Sequence, residues 1–578
     1  RVVKLERPDG STTQSRFDGS GRLLASVNAL GEETRYELDV ATGSILSITQ
    51  PDGLQSRFSY NSQGQLEQVI RANGASDRYD YDAQGRIAIV IDALGHKTKY
   101  EYKNVSTEHP TDIEDARGGK KHLNWDAKGQ LGYYTDCSGS TTHFHYDRWG
   151  HLVEVNGEEG FRIISKYDLR GRLTARTNGL NQTISYTYNE ASDLTQITGL
   201  NGNFVTLERD PQGRLRLYGY GGYYLQFDYD EAGRPVRLIN ENGACATFEY
   251  DVMDRLSKQV NFDGRTQHYD FSAMGDIIRT EDEGLVSFYY YDKGGRLIRR
   301  KIGEGDQAPT EYFSYNEAGQ LVKAWHTIIG SATFTTEFRL DKLGRITQES
   351  QNIIDNKNES VWNYSVNREF DELGIESHTT YTGLPIITWQ TYGSGHLHGV
   401  MLDDRSLVAF ERDKRHRETR REFGRTQGVR TYDSLSRLLF QDIHSDLIDE
   451  KNSLKRQHYY DVAGQLVRIE TAKGVNEYCY DKSGRLIAVR QPGLLEQSYR
   501  FDPAGNRLFE SQTTITPNDH WEEAVRQHMH DNSFNLLGSN GARDIHETAF
   551  KWMDNRIKDD GEYHYEYDAW GNLRRKYK

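Results

Sequence analysis

The stretch Tyr392-Gly393-Ser394-Gly395-His396-Leu397-His398 comes nearest to reactive chemistry, with a glycine-flanked serine and two histidines close behind it. A serine nucleophile needs its hydroxyl raised on a strand-to-helix turn within Gly-x-Ser-x-Gly, and a base in reach. The phase of the repeat described below puts Ser394 in a hairpin turn instead, so it reads as a turn residue. His396/His398 and His143/His145 are each two residues apart, which places two imidazoles on one strand face, the beginning of a metal pair. No third ligand follows nearby in sequence, so both pairs read as cross-strand polar contacts. Asp403-Asp404 could suggest an acid–base pair, but adjacent strand residues point to opposite faces. No His-Glu-x-x-His, Walker loop or dinucleotide fingerprint occurs. Cys137, Cys245 and Cys479 are more than 100 residues apart, a spacing that builds neither a disulfide framework nor a metal knuckle. No catalytic, cofactor-binding or metal-binding residue is therefore assigned, and the chain reads as non-enzymatic.

The elements that would have to position any such residue are repeats. The string aromatic-Asp/Asn-x-x-Gly-Arg/Gln/His-Leu/Ile starts at Tyr60, Tyr81, Trp125, Tyr146, Tyr167, Tyr229, Tyr291, Tyr315, Tyr460, Tyr480 and Tyr567. Looser copies start at Phe17, Tyr188, Arg209, Tyr250, Phe271, Leu340, Phe370, Tyr392, Arg412, Tyr432 and Phe501. From Trp125 to Tyr291 the copies follow one another at 20 or 21 residues, a regularity chance does not sustain. An Asp or Asn opening a turn and a Gly closing it fit a type I turn with a left-handed last residue, so the repeated aspartates, such as Asp82, Asp147 and Asp168, read as caps of the turn backbone. Aromatic-x-aromatic pairs before the turn, such as Phe58/Tyr60 and Tyr79/Tyr81, put both rings on one strand face. A second turn, such as Asp92-Ala93-Leu94-Gly95, completes each unit, which predicts two strands of about seven or eight residues, roughly 25 Å tall. More than forty antiparallel strands would make a sheet on the order of 200 Å wide, which must curl.

Composition agrees. Of 578 residues, 37 are Tyr, 54 Gly and only 10 Pro, and 11% are aromatic. Mean hydropathy is −0.81, and apolar content is about 38% when Gly is included and Tyr omitted, below the ~45–50% of ordinary domains. That suits a wall wetted on both faces better than a filled core. The net charge of −14 argues against a nucleic-acid partner or an anionic membrane. No apolar run approaches a membrane span, and Arg1-Val2-Val3-Lys4 has neither initiator Met nor signal-peptide core, so the chain reads as a processed or truncated piece of something longer.

The motif, for example Tyr167-Asp168-Leu169-Arg170-Gly171-Arg172-Leu173, resembles the YD repeat of the Rhs family, over a stretch from about Phe17 to Tyr567-Asp568-Ala569-Trp570-Gly571-Asn572-Leu573. The resemblance implies an all-β fold of hairpins coiled into a large hollow β-cocoon that encloses a polymorphic C-terminal toxin, as in type VI secretion Rhs effectors and the B and C components of Tc toxins. It implies as partners the enclosed C-terminal toxin domain and a C-terminal plug, and a secretion spike or chaperone reached through an N-terminal region. It also implies synthesis in the bacterial cytoplasm followed by delivery into target cells. The family's Arg-Tyr-Tyr-Asp-Pro-type closing segment is not found before Lys578, so no self-cleaving residue is carried over.

As one shell over 1–578, the chain divides into regular repeats at 17–300, looser ones at 301–510, an irregular insertion at 511–551 and a final repeat at 552–578. Steps of 24, 25 and 30 residues after Tyr291 indicate longer loops within the wall. In the insertion, Pro517-Asn518-Asp519 followed by His520–His528 reads as a capped amphipathic helix, a loop helix on the wall or a cover over one end. The stretch Glu411–Glu422 is locally basic, but its interleaved charges read as a solvated face. The expectation is a non-enzymatic shell of a secreted toxin used in interbacterial competition. The alternatives are an extracellular adhesion or ligand-binding YD-repeat surface protein similar to teneurins, and an enzyme site around Ser394.

Overall fold

The computed structural model describes residues 3–103, 108–327, 332–355, 357, 359–446, 454–493, 497–499, 501–506, 556, 558, 563–568 and 571–578. The fold is all-β, as the repeat predicts. Among the described residues forty-six strands belong to one antiparallel sheet, and His564–Tyr567 with Leu573–Tyr577 form a separate hairpin. The helix expected at 519–528 lies outside the described residues. No described helix is long and apolar enough to cross a membrane.

One repeat shows how sequence becomes structure. Ser76–Tyr81 pairs with Ile87–Ile91 across the turn 82–85, which we call the motif turn, with a register shift just before Tyr81. The Asp82 N–H donates to the Arg86 carbonyl at 2.8 Å and the Gly85 N–H to the Asp82 carbonyl at 3.0 Å, with Gly85 at φ 82°. The next turn, 92–95, the return turn, leads into Lys97–Glu101. Each turn uses four or five residues, so the strands hold five or six rather than seven or eight. The strip is accordingly about 17–20 Å tall at ~3.3 Å per residue, shorter than the sequence suggested. After Tyr291 part of the extra length lies in longer strands rather than loops, with nine residues in Ile346–Ile354 and eleven in Ser360–Phe370.

Along Ser76–Tyr81, Tyr79 and Tyr81 are half-buried while Arg78 and Asp80 are exposed, so one face carries rings and the other charges. Burial is shallow. Thr379 and Cys479, each 1% exposed, are the largest fully buried side chains among the described residues, and several of the other buried positions are alanines. A wall this thin cannot rely on a core, and two side-chain devices link each repeat to the next.

The first is the motif tyrosine. The Tyr81 hydroxyl donates to the Leu66 carbonyl, 15 residues back, at 2.7 Å. Tyr188 does the same to Leu173 at 2.8 Å, Tyr291 to Ile277 at 2.8 Å, and Tyr480 to Leu466 at 2.8 Å. Trp125 substitutes its indole N–H, which reaches the Pro110 carbonyl at 2.9 Å. The backbone ladder between Leu66–Ile70 and Ser76–Tyr81 runs only from Ile70↔Ser76 to Gln68↔Arg78, so the hydroxyl takes up a carbonyl the ladder leaves behind. Such a bond contributes about 1 kcal/mol net.

The second is a carboxylate–guanidinium clamp. Asp168 Oδ1 accepts the N–H groups of Arg170 (2.9 Å) and Arg172 (3.0 Å), and Oδ2 accepts Arg172 Nε (2.7 Å). The same guanidinium donates to the Asn189 carbonyl of the next motif turn at 3.2 Å and lies 4.7 Å from the Tyr188 ring centroid. His151 plays this part in its repeat, bonded to Asp147 at 2.9 Å and stacked on Tyr167 at 4.8 Å. Where the turn opens with Asn the partner changes to match. Asn61 Nδ2 donates to Gln65 Oε1 at 3.1 Å, and the same pairing recurs at Asn178/Gln182 and Asn316/Gln320.

The chain separates into two compact units. One is Arg1–Thr142, Tyr250–Ser257 and His268–Phe410; the other is His143–Glu249, Lys258–Gln267 and Glu411–Lys578.

Two predictions follow from the clamp. Asp168→Asn should weaken the hairpin around 162–178, because an amide facing Arg172 sets donor against donor, and Arg172→Gln should weaken it by removing the guanidinium. The double variant recreates the Asn/Gln pairing of other repeats and should recover more than half of the combined loss, read as hydrogen-exchange protection of that hairpin. The second concerns acid. The backbone N–H of Arg172 first, and its guanidinium next, hold the Asp168 carboxyl below the usual carboxylate range, and Arg234 does the same for Asp230. A carboxyl lowered in the folded state stabilises it above the unfolded value near ~3.9 and ceases to as pH falls through the lowered value. The melting temperature should therefore be level from neutral pH to about pH 5 and fall steeply below about pH 4; a decline that begins at pH 6–7 would contradict this.

Candidate functional site

In each unit a second set of contacts joins turns far apart in the chain, and these make a seam. In the first unit Arg7 Nη1 donates to the Ala273 carbonyl at 3.0 Å, and Arg296, already clamped to Asp292, reaches Asp52 at 2.9 Å. Arg117 Nη1 donates to Asp371 Oδ2 at 3.3 Å and to Thr391 Oγ1 at 3.0 Å. Cys137 Sγ lies 3.0 Å from Ser394 Oγ. In the second unit Asn242 donates to Asp502 at 2.9 Å and accepts the Ala504 N–H at 3.2 Å. Arg485 lies over Tyr223 at 5.2 Å, Arg415 over Phe161 at 4.6 Å, and Lys414 pairs with Glu158 at 3.6 Å. Asn203 donates to the Lys482 carbonyl.

The contacts share a polarity. A return turn, or a residue beside one, from the earlier segment meets a motif turn from the later one, with Arg7 and Ala273 separated by 266 residues and Asn242 and Ala504 by 262. The strip of each unit thus meets itself edge to edge after about a dozen hairpins. Close approach selects small residues. Gly221, at φ 60°, has the Ser483 hydroxyl where a Cβ would stand, so any side chain there would push the two edges apart. Asp502 is 3% exposed and has its Oδ2 shared between Asn242 and Asn506, a buried carboxylate satisfied by hydrogen bonds.

The residues singled out for chemistry fall as follows. Ser394 lies in a strand–turn–strand connection between Ile387–Tyr392 and His396–Leu402, as the repeat phase predicts, and its hydroxyl faces Cys137 across the seam. His396 and His398 lie near the Tyr392 ring, at 5.5 and 6.1 Å between centroids. His143 and His145 are exposed on one face and stand opposite Asn156 and Glu154 on the neighbouring strand. Asp403 and Asp404 are turn residues, not adjacent strand residues as read from sequence. Asp403, at φ 48°, accepts the Ile386 N–H at 2.9 Å and donates its own N–H to the Ile386 carbonyl at 2.7 Å. The basic stretch is absorbed locally. Arg417 clamps Asp413 at 2.7 Å, Arg420 pairs with Glu422 at 2.7 Å, and Arg421 with Glu418 at 2.8 Å. Burial, first, pushes the Arg415 guanidinium below its ordinary value. Sequence reading missed the seam residues Asp52, Arg117, Asn242 and Asp502, which belong to a spacing of a dozen repeats rather than to the motif. The one local signal was glycine beyond the turn's own requirement, as at Gly221-Gly222.

This arrangement offers hydrogen-bonded closure between edges. The Cys137–Ser394 contact makes the seam testable. Ser394→Cys should form a disulfide with Cys137 under mild oxidation, giving a faster-migrating band on non-reducing gels that reduction abolishes; no cross-link would mean that the edges do not meet there.

A family model described as the teneurin YD-shell matches residues 54–145 and 132–217, and an RHS repeat model matches 229–266. The chain is 33% identical over 297 residues to the toxin protein Tse5 of Pseudomonas aeruginosa, a match covering 49% of this chain and 21% of that protein. It is 30% identical over 461 residues to double-stranded DNA deaminase toxin A of Burkholderia cenocepacia, covering 70% of this chain and 29% of that protein. The chain thus spans less than a third of the length of either. The crystal structure of TcdB2-TccC3-TEV matches 98% of this chain and 39% of its own with a TM-score of 0.73 at 12% identity, and that of TcdB2-TccC3-Cdc42 matches with 0.65. At that identity the likeness is one of fold. The repeated motif, the two family models and the shared fold place this chain among the Rhs/YD-repeat proteins.

Proposed function

We propose that the chain is the encapsulating wall of an Rhs toxin, a non-enzymatic shell that sequesters and protects a C-terminal toxin domain until delivery in interbacterial competition. The observation that carries this reading is the seam. A strip whose turns bond to its own turns about a dozen hairpins away is a wall closed along that line, one that proteases and the producing cell cannot pass there. Two relatives that are toxins support a cargo of that class, and they favour delivery over the adhesive reading. On this reading the partners are the enclosed toxin, a C-terminal plug, and a secretion spike or chaperone reached through an N-terminal region. The protein is made in the bacterial cytoplasm and then secreted.

The test is gel filtration and intact mass of the product of the full-length gene. The expected result is that this segment co-elutes with a separately cleaved C-terminal piece, through high salt, and that the two part only on denaturation. A single intact chain with no enclosed fragment would remove the cage reading and leave an adhesive or ligand-binding wall.

A further inference from the structure

Within the second unit one repeat departs from the others at two positions that touch in its neighbours. On the earlier side Tyr188 donates to the Leu173 carbonyl at 2.8 Å with the Arg172 guanidinium over its ring, and on the later side Tyr229 donates to the Leu215 carbonyl at 2.8 Å under that of Arg214. Between them the ring position holds Arg209 and the clamp position holds Asp193. Arg209 bonds within its own motif turn, where Nη1 donates to the Gly213 carbonyl at 3.0 Å, and its Nε lies 3.8 Å from Asp193 Oδ1. Leu194 stands where Leu173 and Leu215 stand in their repeats, and Arg209 brings no hydroxyl to its carbonyl.

The consequence is a cavity. Leu194–Thr198 pairs with Phe204–Arg209 only as far as Gln196↔Thr206. Past that pair about 430 Å³ opens between Thr195 and Gln196 on one strand and Thr206 and Leu207 on the other, with Asp193 and Arg209 at the turn end. Both strands are laddered on their far sides, to Thr183–Tyr188 and to Leu215–Tyr220, so the cavity lies inside the strip and comes from the residues at 193 and 209. Its size suffices for a ring, since about 150 Å³ admits benzene. In the preceding repeat the ladder ends at the equivalent pair, Ala175↔Ser185, and the phenol of Tyr188 spans the gap that follows, bonded to a carbonyl and covered by a guanidinium. We propose that this cavity binds a phenolic ring that the chain does not itself supply there, with the hydroxyl donating to the Leu194 carbonyl and the Arg209 guanidinium against the ring. The inference does not rest on what the wall encloses.

The probe is p-cresol, the side chain of tyrosine, titrated into the 578-residue chain and followed by saturation-transfer NMR. Binding should saturate, and 4-methylanisole, the same ring with its hydroxyl proton replaced by methyl, should bind about fivefold more weakly for want of one hydrogen bond. Arg209→Tyr restores the residue of the flanking repeats, so it should fill the gap from within and abolish p-cresol binding, with circular dichroism unchanged and a melting temperature no lower than wild type. Asp193→Arg with Arg209→Tyr rebuilds the full ring and clamp, and serves the same test if the single variant misfolds. N-acetyltyrosinamide separates the two sources of a phenol: binding that matches p-cresol assigns the ring to a tyrosine of a polypeptide, and its exclusion assigns it to a free phenol. A wild type that binds no p-cresol, restored variants that bind it as wild type does, or 4-methylanisole that binds equally well would each overturn the proposal.

Discussion

The structure depends on a constraint of thickness. A single sheet layer, with mostly half-buried side chains and few fully buried ones, cannot obtain its cohesion from a core. It must join each hairpin to the next with directional contacts at a place where backbone pairing gives out. The motif supplies them at one point of the strip. The tyrosine hydroxyl takes the carbonyl that the shortened ladder leaves unpaired, as from Tyr81 to Leu66, and the clamped arginine reaches into the following turn while covering its ring, as Arg172 does over Tyr188. Each contact is worth little alone, and repetition makes the sum large in the manner of nearest-neighbour repeat arrays.

The same geometry gives the strip two different edges. Motif turns end in clamped aspartates and arginines whose carbonyls and side chains face outward; return turns are shorter of charge and richer in close-packed glycine, as at Gly179 and Gly221. Unlike edges join, as Asp502 and Asn242 do. A strip built from one repeated unit therefore carries a direction for lateral assembly as well as along the chain. Enclosure, in the function proposed, is a consequence of that direction and not of any single residue.

Much of this was legible in the sequence. The period of 20 or 21 residues, the aromatic-x-aromatic alternation and the turn glycines identified the hairpins and their order. The role of the turn aspartates as caps was legible too, and Asp168 does what its position implies. The Tyr hydroxyl bond was not, because Phe at the same position in Phe17 and Phe271 made burial seem the whole reason for a ring. The clamp partner could have been found. Asp is followed four residues later by Arg at 18/22, 82/86 and 168/172, while Asn is followed by Gln at 61/65, 178/182 and 316/320. The matching is a tendency, since Asp126/Gln130, Asp461/Gln465 and Asn261/Arg265 depart from it, and it points to two side chains in contact. Strand length was overestimated because turn residues were counted as strand.

The seam was invisible for a different reason. Its partners lie about a dozen hairpins apart in the chain, a separation that no short window of sequence contains. A local interaction leaves its trace in every repeat, so it can be read by comparing copies. A contact such as that of Arg117 with Asp371 occurs once, between residues 254 apart, and has no second copy to be compared with. What distinguishes it in retrospect is departure from the repeat: Arg117 occupies a return-turn position that other repeats fill with Leu94 or Leu180. In a repeat protein the consensus thus encodes the wall, and the exceptions encode how the wall meets itself.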